Sequence, residues 1–163
     1  MHFQDEHRFP ASVGAVADLL VDPTFHRRLE LPDLRLLEVV DHGDDGTDAL
    51  LSLRYEYIGQ LDPLARRVLG GGRLTWIQTL VIGRSACAGR LTLADEGTRQ
   101  RLNGRAEFTL LADQDETVWE LRGEVRVGVA LIGGRAEPRI VAGFLRRLDI
   151  EAQAMTDHLR ADT

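Results

Sequence analysis

The chain has a single cysteine, Cys87. That excludes an internal disulfide, and with no metal-ligand pattern near it the thiol fits a reducing compartment. Apolar residues make up 44% of the 163 residues, but their runs are short and interrupted. None reaches the roughly 20 residues that span a bilayer, so stable membrane insertion is not expected. Acidic residues outnumber basic ones, 26 to 20, and the net charge of −6 argues against nucleic-acid binding, which depends on a basic face. The five histidines include no H-E-x-x-H spacing and no cysteine partner, so no metal site is expected. Gly70-Gly71-Gly72 lacks a following Lys-Ser/Thr and reads as a helix stop rather than a phosphate loop. Gly83-Arg84-Ser85 is not a nucleophile elbow, and no cofactor is implied. The opening Met1 to Glu6 is acidic and has no apolar core of the signal-peptide kind, so a cytoplasmic location is expected.

What is present is alternation. Seven segments are expected to be strands: Phe3–Phe9, Leu36–Asp41, Ala49–Ile58, Leu74–Ile82, Cys87–Leu93, Leu102–Leu111 and Val118–Leu131. His42 to Gly46, Asp95 to Gly97 and Asp113 to Glu116 are polar turns, and such short connections favour antiparallel neighbours. Two short helices interrupt the series after the first strand. Ser12 caps the first, and Thr24 is expected to cap a second that holds Phe25, His26 and Leu29. The segment Leu61 to Gly72 is longer than the other connections and reads as a short helix or flap over the sheet's rim.

The chain ends in an amphipathic helix. Pro138 suits its first turn, with Glu137 near its positive end. Val141, Phe144, Leu145, Leu148, Ala152, Met155 and Leu159 fall at spacings of three and four and form one apolar stripe. Arg139, Arg146, Arg147, Asp149, Glu151, Gln153 and Asp157 are assigned to the other faces. Such a helix, about 35 Å long, needs a broad sheet to cover it. Gly89, Gly104, Gly123 and Gly128 are where strands bend most readily, and Gly143 is expected to let the helix approach the sheet closely.

This order of elements resembles the helix-grip fold of the START-like (SRPBCC) superfamily over nearly the whole chain. The opening Phe3 to Phe25 and the ending Leu131 to Glu137 resemble an uncharacterised bacterial family within it. The resemblance implies an α+β domain over residues 1–163. In it a curved antiparallel sheet of about seven strands wraps the C-terminal helix, with an apolar cavity between them. It brings no catalytic residues.

The function expected is binding or carriage of an apolar or amphipathic small molecule, lipid-like or polyketide-like. The alternatives are a cyclase- or dehydratase-type enzyme and an interaction module with a collapsed cavity; a homodimer is left open. Asp5 and His7 lie two residues apart on one strand and point to one side, as an acid–base or ligand-orienting pair or as a pair satisfying each other near an edge. Tyr55, Tyr57, Trp76 and Gln78 are candidates to touch a ligand or to serve as core residues with a polar tip. Phe108, Phe144, Leu148 and Met155 complete the ligand-contact set.

Overall fold

A computed structural model of the chain describes residues 1–60, 73–96, 102–128 and 133–161. In order the elements are β1 (His2–Phe9), α1 (Val13–Leu20), α2 (Pro23–Arg28), β2 (Leu34–Asp44), β3 (Asp48–Tyr57), β4 (Thr75–Gly83), β5 (Ala88–Asp95), β6 (Leu102–Asp113), β7 (Glu116–Val127) and α3 (Gly133–Ala161). The strands form one seven-stranded sheet in the order β1-β7-β6-β5-β4-β3-β2, antiparallel throughout. β1 and β2 are therefore the two edges, and α1 and α2 carry the chain from one to the other. This is the helix-grip architecture. The flap expected at Leu61 to Gly72 and the last residues expected in the final strand, Val129 to Leu131, lie outside the described residues.

Local chemistry sets the element ends. Ser12 Oγ accepts the Ala15 amide at 3.3 Å and caps α1. Asp22, not Thr24, caps α2: its Oδ1 accepts the Thr24 amide at 2.7 Å and Pro23 takes the first helical position. A carboxylate one residue before a proline satisfies a free amide where the proline itself offers none. β2 also runs further than expected, because the following turn is tight. Asp44 Oδ1 accepts the Gly46 amide and Asp45 Oδ1 accepts those of Thr47 and Asp48, so His42 and Gly43 remain in the strand.

One face of the sheet is the core. Along β6 the burial alternates strictly, with Leu102, Gly104, Ala106, Phe108 and Leu110 inward. α3 begins at Gly133, five residues before Pro138, so the proline sits inside the helix and not in its first turn, and there it removes one backbone hydrogen bond. Its 29 residues give a length of about 43 Å. Val141, Phe144, Leu148, Ala152, Met155 and Leu159 of the stripe are buried, and Leu145 is half-buried. Gly143 does not serve close packing, since nothing lies within 4 Å of where its Cβ would stand. Gly123 does: a Cβ there would be 2.4 Å from the Arg105 carbonyl oxygen. Among the described residues no helix is long and apolar enough to cross a membrane.

Candidate ligand-binding site

Tyr55 on β3 stands opposite Trp76 on β4, and Gln78 follows two residues on, so the three side chains share the face turned towards α3. All are buried. Tyr55 and Trp76 stack with ring centres 6.1 Å apart. Onto them α3 brings two charged residues. The Arg147 guanidinium lies over the Tyr55 ring, 5.0 Å from its centre. Its Nη1 donates to Gln78 Oε1 in a short hydrogen bond, and its Nη2 donates to Glu151 Oε2 at 2.8 Å.

The sequence pattern assigns Arg147 and Glu151 to the solvent side; instead they are 6% and 2% exposed. From Leu148, at the centre of the stripe, Glu151 is about 60° and Arg147 about 100° round the helix on the same side. The sheet wraps α3 further on that flank than the apolar stripe extends. The signal available in the sequence was the spacing itself, an opposite-charge pair at i and i+4 bordering the stripe.

Burial pushes the Tyr55 phenol above its ordinary value; the Arg147 charge opposes this rise and the Glu151 carboxylate adds to it. Among the described residues three donors of this group, the Tyr55 hydroxyl proton, Trp76 Nε1 and Arg147 Nε, reach no acceptor; the Tyr55 oxygen has only a minor hydrogen-bond contribution from Arg147. Leaving such an atom buried and unpaired costs about 1–3 kcal/mol.

The remaining candidates lie elsewhere. His7 Nε2 and Asp5 Oδ2 are 2.9 Å apart on the edge strand β1, a hydrogen-bonded pair on the helix side of the sheet. Exposed Asp149 of α3 completes a group whose ligand atoms all lie within 4.8 Å of one another, close enough to share a cation. The pair is satisfied without one. Phe144 meets Phe3 edge-on at 5.3 Å. Phe108 packs edge-on against Trp119 in a second aromatic group with Phe9. Leu148 and Met155 are buried within the core. Tyr57 is half-buried at the end of β3, its hydroxyl over Gly59 and 3.5 Å from the Gln60 carbonyl oxygen.

Among the described residues, cavities open outside this interior at two places. One of 1170 Å³ lies on the sheet face turned away from α3, among Arg90, Arg105, Glu107, Glu120, Arg122 and Glu124. Register places Glu107 between Arg90 and Arg122, so charged side chains cover much of its floor, beside apolar Phe3, Val81, Ala88 and Phe108. A smaller one of 420 Å³ lies between α2 and α3, beside Phe25, Leu29, Ile150 and His158.

Over residues 4–159 the sequence matches the family described as "Protein of unknown function (DUF2505)". The chain belongs to that family. Among curated proteins none matches this DUF2505 member. Solved structures match it in fold. TTHA0849 from Thermus thermophilus is 13% identical with a TM-score of 0.70, covering 100% of this chain and 99% of that one. The Zhui aromatase/cyclase from Streptomyces sp. R1128 is 14% identical with a TM-score of 0.60, covering 98% and 93%. A START superfamily protein from Mycobacterium smegmatis is 12% identical with a TM-score of 0.57, covering 99% of each chain. These likenesses show the fold: the helix-grip arrangement of the DUF2505 chain is shared with the START superfamily protein and the aromatase/cyclase.

Proposed function

We propose that this protein binds and carries an apolar or amphipathic small molecule, lipid-like or polyketide-like, between α3 and the concave face of the sheet. The observation that supports this most is the polar group of Arg147, Glu151, Gln78 and Tyr55 set within an interior otherwise lined by the apolar stripe. Stability does not account for it. A buried ion pair is commonly matched or bettered by apolar residues of similar volume, and unpaired polar atoms weaken the fold further. A few fixed polar groups in an apolar site are what orients a bound molecule with one polar end. Native mass spectrometry of protein purified from its own host tests the reading: a co-purifying small-molecule mass is expected. Protein of bare chain mass only would favour an interaction module with a closed interior.

A second reading, an enzyme of the cyclase or dehydratase kind, is supported by the hydrogen-bonded Asp5–His7 pair and by the aromatase/cyclase among the similar folds. It requires the pair to reach the same bound molecule as the Arg147 group. Turnover of the co-purified compound that survives His7→Ala unchanged removes the pair from any mechanism.

A further inference from the structure

We infer that the polar end of the site receives a neutral hydrogen-bond acceptor, the carbonyl oxygen of an uncharged ligand such as a ketone or ester, and not a carboxylate. This deepens the proposed binding function and rests on it. The argument begins with the kind of atom left over. Among the described residues Tyr55 Oη, Trp76 Nε1 and Arg147 Nε, all in one buried group, carry protons that reach no acceptor. Indole nitrogen and guanidinium Nε only donate. The phenol can also accept, but burial keeps its proton on and that proton still needs a partner. Gln78 Oε1 and Glu151 Oε2 each already accept from Arg147, through its Nη1 and Nη2. What these three donors lack is an acceptor within bonding reach among the described residues.

Charge then chooses between kinds of oxygen. Arg147 is neutralised by Glu151 at 2.8 Å, with both side chains inside the protein. A ligand carboxylate would leave that interior with an uncompensated negative charge, which a site of low dielectric strongly disfavours. A carbonyl oxygen accepts the same hydrogen bonds and brings no net charge. The stacked Tyr55 and Trp76 rings, with the flat guanidinium over one of them, offer a plane along which such a group can lie.

The test uses three probes with one aromatic body: 2-acetylnaphthalene, 2-naphthoate and 2-ethylnaphthalene. Dissociation constants are measured at neutral pH by equilibrium dialysis against the wild-type chain and against Tyr55→Phe and Trp76→Phe. The ketone is expected to bind about tenfold more tightly than the hydrocarbon, and the carboxylate at least about tenfold more weakly than the ketone. Within each variant the ketone's advantage over the hydrocarbon should shrink to about twofold or less. Circular dichroism confirms that each variant is folded; Tyr55→Phe keeps the ring and its stacking, and either variant suffices if the other is unfolded. Equal binding of ketone and hydrocarbon, as expected if ordered water satisfies the donors, overturns the inference and leaves the binding function standing. Tightest binding of the carboxylate overturns it too. If none of the probes binds, the inference is overturned, and the binding function is decided separately by whether a small-molecule mass co-purifies.

Discussion

Arg147 and Glu151 stand one helical turn apart on α3, joined at 2.8 Å and both enclosed between that helix and the sheet. The pair is held at its far side by Gln78 and covered by the Tyr55 ring, so its members depend on one another rather than on water.

Removing one member strands the other. Arg147→Ala should therefore cost about 3–5 kcal/mol, whereas the double change Arg147→Met with Glu151→Leu should be as stable as the wild type or more so. Urea denaturation of the single and double variants measures both. A single-variant cost below about 1 kcal/mol would mean that Arg147 faces water.

Alkaline pH offers a second handle on the same site. Burial raises the Tyr55 phenol above 10.0 in the folded chain, so as pH rises past that value the unfolded chain releases its proton first. The stability linked to Tyr55 is present in full below pH 10.0 and is lost as pH rises through the folded-state value. Melting temperatures taken from about pH 8 to about pH 12 should fall more steeply for the wild type than for Tyr55→Phe. Parallel curves would contradict the burial of this hydroxyl.

Two glycines should respond in opposite directions. Gly123→Ala places a Cβ 2.4 Å from the Arg105 carbonyl oxygen and 2.6 Å from Ala106 Cβ, which should cost about 1–3 kcal/mol. Gly143→Ala meets nothing within 4 Å in the middle of α3 and should add about 0.5–1 kcal/mol. Thermal denaturation of the two variants gives the signs directly, and a loss at Gly143 would place that position against the sheet after all.

The start of α2 can be settled by its caps. Asp22→Ala removes the oxygen that accepts the Thr24 amide and should destabilise the chain by about 1 kcal/mol. Thr24→Ala leaves that hydrogen bond in place and should change stability by less than about 0.5 kcal/mol. The reverse order of losses would return the cap to Thr24.

The sequence by itself determined the elements and their order, because period-two and period-3.6 alternation are local properties of the chain. The β6 run from Leu102 to Leu110 and the α3 stripe from Val141 to Leu159 are buried where their spacing put them. Tyr55, Trp76 and Gln78 were also legible as candidates, since each joins an apolar body or an inward strand position to a polar tip. The fate of residues at the margins of a pattern was not legible. Whether Arg147 and Glu151 meet water depends on how far a sheet of seven curved strands reaches round the helix, a property of the whole sheet and not of any one segment. The same holds for Gly143, whose open surroundings follow from which side of α3 the sheet leaves uncovered. Only the tertiary structure brought the Tyr55, Trp76 and Arg147 donors into one buried group with no acceptor among the described residues, because their strands and helix are distant in sequence and meet only when the sheet closes on α3.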